Sequence, residues 1–443
     1  MHIAFIAMSG VRAHNPELTA LGLTLPGFVE RGTAIAALPS LSLLTLAALT
    51  PEPHEVSYHE IADIRELREL PGCDLAAIST YSAQVGEAYE LADRLRASGT
   101  MVVMGGLHAT ALPDEAIRHC DAVVVGEGEP VWGRIVADAA AGVLAGSYRA
   151  LGTFDLGLAP TPRFDLLDPD RYNRLTVQTS RGCPWRCEFC ASSTLLTSSY
   201  AMKPVDRVAA ELDAITELWP HPFVELADDN TFVNMRRSRD LVDVIGAAGV
   251  RWFTETDVSV ATDPGLLTAM RASGCAEVLV GFESPTRSGV DGIELKRNWK
   301  RTQHDRARAA VGAIQEAGIA VNACFVLGLD GDDESVFAAV EEFVEEVHPF
   351  DVQITVLTPF PGTPLYDRLL REDRILRPGE WELATLFDVN LRPARMSVEA
   401  LESGLVDLGS RIYSEAATAR RRAGFKDDWR RGRHPAGKEL LAS

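Results

Sequence analysis

The sequence predicts an α/β protein built from two strand–helix runs in tandem: a doubly wound parallel-sheet domain, then an open β/α barrel. Three observations carry this. Short apolar strands alternate with helical segments from His2 to Ala141 and again from Arg174 to Leu357, and such alternation implies βαβ units and a parallel sheet. Between them, Leu151–Asn173 is rich in Pro, Asp and Gly without periodicity and reads as a connection. The second run holds six strands and at least five intervening helices, too few for a closed eight-stranded barrel.

The bulk properties narrow the function. A chain of 443 residues suggests two or three domains, and 46% hydrophobic content is ordinary for a full core. The formal charge of −20 argues against nucleic acid as the main partner, because phosphate contact needs a basic face. No apolar run reaches the length of a membrane span, and Met1–Phe5 reads as a strand rather than a signal peptide. Of seven cysteines, three are clustered and the rest scattered, which fits a reducing cytoplasm rather than a disulfide framework.

In chain order, the pattern predicts strands at His2–Met8, Glu55–Ile61, Leu75–Thr80, Met101–Met104 and Ala122–Val125. Helical spacing marks Leu41–Leu49, Ile64–Leu70, Val85–Ala97 and a segment ending at Ala141. Residues 1–145 thus read as a five-stranded doubly wound domain. Val11–Ala37, with His14, is broken by glycines and prolines and reads as a long loop. Ligands of doubly wound folds bind beyond the carboxyl ends of the strands. Those ends carry Thr80, Tyr81 and Ser82; Gly105, Gly106 and His108; and Gly126, Glu127 and Gly128. Glycines there let backbone approach a ligand closely.

After a linker at 146–173, the barrel occupies residues 174–370. Strands are expected at Arg174–Thr179, Phe223–Ala227, Trp252–Thr256, Val278–Phe282, Val321–Leu327 and Val352–Leu357. Helices are expected at Asp206–Leu218, Arg237–Ala247, Pro264–Ala272, Gln303–Ala317 and Glu334–Val347. Barrel chemistry collects at the carboxyl ends of strands, and here those ends are polar. They include Asp228-Asp229-Asn230, Glu255, Glu283-Ser284 and Thr358. Taken singly, each is a solvated loop residue or helix cap; their recurrence favours a site. The basic run Arg287–Arg301 reads as a solvated face. Residues 371–443 form a helical extension, with an amphipathic helix over Met396–Ala423 and a basic stretch, Arg420–Lys438, expected to be disordered or a surface arm.

The first barrel strand runs into Arg181-Gly-Cys183-Pro-Trp-Arg-Cys187-Glu-Phe189-Cys190, a C-x3-C-x2-C loop. Thiolates suit iron–sulfur clusters or zinc. An ordinary cubane takes four cysteines, so three leave one iron open to a small molecule. A structural zinc site would need a fourth ligand such as Cys275 or Cys324, and zinc favours paired C-x2-C units.

This loop closely resembles the hallmark of the radical SAM superfamily. The resemblance implies a [4Fe-4S] cluster on Cys183, Cys187 and Cys190, with S-adenosylmethionine on the open iron. It implies contacts to that molecule from Phe189 beside the adenine, from Asp228, Asp229 and Asn230 at the amino group, from Glu283 and Ser284 at the ribose, and from Glu255 and Thr358. The first domain, through its Leu38–Ala47 segment, Gly-Gly-x-His-Ala-Thr and Val-Val-Gly-Glu-Gly-Glu, resembles the cobalamin-binding domain fused to many such enzymes. That resemblance implies a corrinoid held by Thr80, Tyr81, Ser82, Gly105, Gly106, His108, Gly126, Glu127 and Gly128. The Asp-x-His-x-x-Gly signature that supplies a lower axial histidine is absent, so the corrinoid is expected without histidine ligation. The segments from Arg374 to Arg422 are similar to those of the cobalamin-dependent class that includes hopanoid C-2 methylases.

The implied activity is methylation of an unactivated carbon by an adenosyl radical and methylcobalamin. Oxidative cyclisation or ring rearrangement is the alternative, and a non-catalytic corrinoid or metal carrier a second. A methylthiotransferase would need a second cluster, for which Cys73, Cys120, Cys275 and Cys324 are not grouped. A small-molecule, lipid or peptide substrate and a flavodoxin or ferredoxin electron donor are the expected partners. Catalytic acids and bases are not legible.

Overall fold

The computed structural model describes residues 1–20, 38–196 and 199–433. The first sheet comprises β1 (His2–Met8), β2 (Glu55–Ile61), β3 (Leu75–Ser79), β4 (Met101–Gly105), β5 (Ala122–Val125) and β6 (Ser147–Arg149). Its order is β2-β1-β3-β4-β5-β6, with every pair parallel. Strands buried on both faces read as continuous apolar runs, which is why His-Ile-Ala-Phe-Ile-Ala-Met is a strand. Helices Leu41–Ala48 and Glu129–Ala140 cover one face, packing around Ile3, Phe5 and Trp132. Helix Val85–Ala97 covers the other, against Ala4, Ile6 and Ile78.

Two local expectations are corrected. The sheet has six strands rather than five, because β6 is three residues long with only Tyr148 buried, too short to show a period. Ile64–Leu70 is a single 3₁₀ turn, Ile64–Glu66. The Asp63 side chain caps Arg65 at 2.9 Å and Leu67 is already extended, and Pro71 disfavours helix just before it.

The second sheet comprises β7 (Leu175–Val177), β10 (Phe223–Leu226), β11 (Arg251–Thr256), β12 (Cys275–Glu283), β13 (Ala320–Leu327) and β14 (Asp351–Val356), with the two-residue strands β8 (Ser180–Arg181) and β9 (Ala201–Met202) paired beside it. The six run in sequence order, all parallel, from β7 at one edge to β14 at the other. Helices Val205–Leu218, Met235–Ala248, Pro264–Ala272, Ala307–Glu316 and Ser335–Val347 lie between them. The helix expected from Gln303 is broken instead. Asn298 adopts a left-handed backbone, φ 52°, a short turn Trp299–Gln303 follows, and the regular helix begins only at Ala307.

The carboxyl-terminal segment joins the barrel's core. Helix Val398–Ile412 buries Leu401, Leu405 and Leu408 in the main hydrophobic cluster. The basic stretch expected to be disordered from Arg420 is helical to Arg433. Phe425 meets Phe350 edge-on at 5.2 Å, and Arg422 lies 3.6 Å from the buried Asp351. Of the Val11–Ala37 loop, the described part ends in helix Pro16–Ala20. Asp388 accepts from the backbone N–H of His14 and Asn15 at 2.9–3.0 Å. Residues 21–37 and 434–438 of the two stretches lie outside the described residues.

Candidate functional site

The carboxyl ends of the two sheets face one cleft. It is open to solvent and has a cavity volume of about 390 Å³. From the first sheet it takes Ser79 and Tyr81 at the end of β3, Gly105 and Gly106 at the end of β4, and Gly126, Glu127 and Gly128 after β5. From the barrel side it takes Gln178, Arg181, Ser192 and Asp229. Its inner end is an apolar slot among Leu43, Leu46, Val103, Val124 and Trp132. Two glycines keep this space open. Gly106 has φ 98°, and a Cβ there would come within 3.3 Å of the Thr80 carbonyl. A Cβ on Gly128 would meet the Leu46 side chain, which also lines the cleft, in ordinary contact at 3.4 Å. An apolar slot rimmed by bare backbone suits a large, flat, amide-fringed ring system such as a corrinoid.

Six of the nine first-domain candidates line this cleft; Thr80, Ser82 and His108 do not. Thr80 is buried and bonds the Tyr81 carbonyl at 3.0 Å. His108 is buried with Nδ1 3.0 Å from the Ser82 hydroxyl and Nε2 3.2 Å from Glu115. It also meets the Trp381 ring edge-on at 5.4 Å. Burial lowers its pKa despite Glu115, so the ring is a neutral packing element tying the first domain to the carboxyl-terminal segment. Ser82 and His108, expected to meet a corrinoid, thus lie outside the lining of this cleft and bond each other.

The cysteine loop follows β8 and is pinned at several points. Gly182, at φ 84°, donates its N–H to Asp229 at 3.0 Å. Glu188 N–H bonds Ile293 at 2.9 Å and Leu295 N–H bonds Arg186 at 2.8 Å, so Cys187 bridges antiparallel to Glu294. The buried Glu294 carboxylate collects N–H groups of Arg186, Lys296, Arg297 and Trp299 at 2.7–3.3 Å. Arg368 forks onto Glu188 at 2.6 and 3.1 Å from helix Pro364–Arg371. Phe189 is half-buried and packs against the hydrophobic cluster that contains Val290, Ile293 and Leu357.

Burial pushes the Cys183 thiol up to about 11 and raises Cys187 and Cys190 as well. Ligation must therefore expel three protons, as metal binding does. Among the described residues, no three His, Cys, Asp or Glu side chains converge on one ion-sized position. Zinc needs four such ligands. Three thiols on one loop can give one ligand each to three irons of a four-iron cluster and leave the fourth open.

The polar strand ends divide into two kinds. Asp228 is buried and wholly engaged: it accepts from Thr179 N–H and Ser180 N–H at 2.8 Å, from the Thr231 hydroxyl at 2.9 Å and from the Thr179 hydroxyl. Asn230 donates to Asp257 at 3.0 Å, Ser284 to Asp332 at 3.0 Å, and Thr358 to the Val356 carbonyl at 3.1 Å. These side chains hold the mouth in shape. Asp229 lines the cleft, and Glu255 and Glu283 lie close enough for Asp229 and Glu283 to act on the Glu255 carboxyl. Burial, then Glu225, Asp229, Asp228 and Glu283, push Glu255 up to about 8. Glu283 occupies a left-handed backbone, φ 64°, where the β12–β13 register shifts. Strained residues of this kind persist where surrounding structure holds them. Its carboxylate is 2.8 Å from Lys300, which also donates to the Gly281 carbonyl at 2.7 Å.

Arg181, Lys300, Asp257 and Trp132 were not legible as site residues. Lys300 lay within the run read as a solvated face; Arg287 and Arg301 do pair on the surface, with Asp305 and Asp291. A lysine among basic neighbours gives no sign of which one turns inward. Arg181, adjacent to the motif, was the one with a positional signal.

Comparison with known proteins assigns this geometry. Residues 177–344 match the Radical SAM superfamily and residues 36–135 the B12 binding domain. The chain is 28% identical over 397 residues to bacteriochlorophyllide d C-12(1)-methyltransferase of Chlorobaculum tepidum, covering 88% of this chain and 86% of that one. It is 25% identical to the anaerobic magnesium-protoporphyrin IX monomethyl ester cyclase of Cereibacter sphaeroides, over 82% of this chain and 63% of the cyclase. Its fold is similar to that of the radical S-adenosylmethionine methyltransferase TsrM from Kitasatospora setae, with TM-score 0.64, 15% identity and coverage of 98% and 99%. A B12-binding domain thus opens through a shared cleft onto a radical SAM barrel, and the chain is an enzyme of the cobalamin-dependent radical SAM family.

Proposed function

We propose that the protein methylates an unactivated carbon of a small-molecule, lipid or peptide substrate. The observation that carries this reading is the shared cleft: glycine loops of the first domain and Asp229 and Ser192 of the barrel line the same space. A methyl group held on one side can then meet a substrate carbon activated on the other without crossing solvent. When bound, the cluster with S-adenosylmethionine supplies a hydrogen-abstracting adenosyl radical, and the corrinoid supplies the methyl group.

The chain's own residues place and shield these groups. Cys183, Cys187 and Cys190 would hold the cluster. Asp229, Glu255 and Glu283 offer acceptors for an ammonium and ribose hydroxyls, and Phe189 an apolar wall. Tyr81, Gly105, Gly106, Gly126, Glu127 and Gly128 would hold the corrinoid. The electron would come from a flavodoxin or ferredoxin. All seven cysteines are free thiols, the form that a reducing cytoplasm maintains. Among the described residues, no helix is long and apolar enough to cross a membrane.

The similarity to a cyclase favours one other reading, oxidative ring formation without methyl transfer. Product stoichiometry separates the two. Methylation consumes one S-adenosylmethionine as adenosyl donor and a second as methyl donor, so 5′-deoxyadenosine and S-adenosylhomocysteine should form in equal amounts with methylated product. Deoxyadenosine rising with substrate loss while S-adenosylhomocysteine stays at background would replace methylation with the cyclase reading.

A further inference from the structure

Arg181 joins the two halves of the cleft. It lies on β8, two residues before Cys183. Its Nη1 is 2.8 Å from Glu127, on the loop that follows β5 in the B12-binding domain, and its Nη2 2.6 Å from Glu129, the first residue of the next helix. Gln178 accepts from the same guanidinium at 3.0 Å. The Arg181 side chain is 20% exposed and the two carboxylates 5% and 8%. A guanidinium in a fixed fork carries directional information that a lysine would not.

Both ends of this bridge are tied to cofactor-facing backbone. On one side, Ser180 N–H is bonded to Asp228 and Gly182 N–H to Asp229, so Arg181 cannot shift without moving the entry to the cysteine loop. On the other, Glu127 lies between Gly126 and Gly128, which line the cleft, and its second oxygen accepts the Phe154 N–H. A ligand seated on the glycine loop therefore fixes the two carboxylates. Through Arg181 they fix the strand that delivers Cys183.

We propose that Arg181, with Glu127 and Glu129, is a positioning element that couples cobalamin binding to S-adenosylmethionine binding at the cluster. This rests on the reading of the cleft as the site both cofactors face, and not on which reaction follows. Coupling between two binding sites is reciprocal: each ligand must tighten the other by the same factor, commonly about five- to a hundredfold.

The test uses the full chain with its cluster reconstituted. Hydroxocobalamin affinity is measured by absorbance with and without S-adenosylmethionine, and S-adenosylmethionine affinity by equilibrium dialysis with and without hydroxocobalamin. The wild type should show one shared factor of at least about fivefold in both directions. Removing Arg181 alone would strand two buried carboxylates and risk misfolding. The informative variant is therefore the neutral triple Arg181→Met, Glu127→Gln, Glu129→Gln, which keeps the volume without an unpaired charge. It should retain about four irons and still bind cobalamin through the remaining glycine loops, more weakly where Glu127 is lost, and the mutual factor, a ratio taken within that same variant, should fall to about one. A factor of one in the wild type, or an undiminished factor in a triple variant that holds its cluster, overturns the proposal. Neither readout needs turnover, so a failure of the methylation reading leaves this result independent.

Discussion

Trp185 lies flat against Trp299, ring centroids 4.1 Å apart and planes 8° from parallel. Trp185 stands between Cys183 and Cys187, and its indole N–H donates to Asp257 at 3.0 Å. Trp299 opens the turn that carries Lys300. The stack therefore clamps the middle of the cysteine loop to the segment beyond β12. Removing one half-buried ring should cost roughly 2 kcal/mol. Trp299→Ala should lower the unfolding midpoint and speed iron loss to a chelator. Iron retention as slow as in the wild type would show that the clamp is dispensable.

Adjacent aspartates should behave differently. Asp228 accepts four donors, so Asp228→Asn turns an amide N–H onto other N–H and O–H groups. The expected cost is about 2–4 kcal/mol, read by denaturant unfolding of the cofactor-free chain. Asp229 lines the cleft while also accepting the Gly182 N–H and the Ser192 hydroxyl, and Asp229→Asn should weaken S-adenosylmethionine binding at least about tenfold, roughly 1.4 kcal/mol, with a smaller unfolding cost than Asp228→Asn, which disturbs four donors. Equal unfolding curves for the two variants would refute this division.

The cysteines separate cluster from core. Cys183→Ala, Cys187→Ala and Cys190→Ala should each reconstitute well below the wild-type content of about four irons and lose reductive cleavage of S-adenosylmethionine. Cys275 is fully buried beneath the barrel, and Cys275→Ala should keep the cluster. Normal iron in any of the first three variants contradicts the ligand assignment.

Glu255 predicts a pH dependence. Its carboxyl is raised from 4.5 to about 8. Between those values the folded protein holds a proton that the unfolded chain has released, so this group's contribution to stability falls as pH rises through the window. The unfolding free energy of the cofactor-free chain should decline from pH 5 to 8, and Glu255→Gln should remove about one proton's worth of that slope. An unchanged slope in the variant would place the titration elsewhere.

Much of the fold was legible because strand and helix periods survive in single segments. All-apolar β1, β4 and β5 and the amphipathic Val205–Leu218 and Ser335–Val347 helices declare themselves without partners. The elements missed are those whose identity comes from contact. Strand β6 is three residues that pair only because β5 offers an open edge. The Arg420–Arg433 helix has a composition that resembles a solvated arm, yet Phe425 and Arg422 dock it onto Phe350 and Asp351.

The candidate site divides in the same way. The sequence by itself determined the three candidate thiolate ligands, because C-x3-C-x2-C spacing brings them onto one loop whatever surrounds it. It also determined that carboxylates recur at barrel strand ends, because alternation in a β/α unit places those residues at one rim. Only the tertiary structure decided which of them remain available. Asp228, Asn230, Ser284 and Thr358 are consumed by hydrogen bonds to residues up to 49 positions away, and His108 turns from the cleft to Ser82 and Glu115. The partners of Arg181 lie more than fifty positions before it, at Glu127 and Glu129. Local sequence sets what a side chain can do; which groups it meets is set by the packing of distant strands, whose register no single segment encodes.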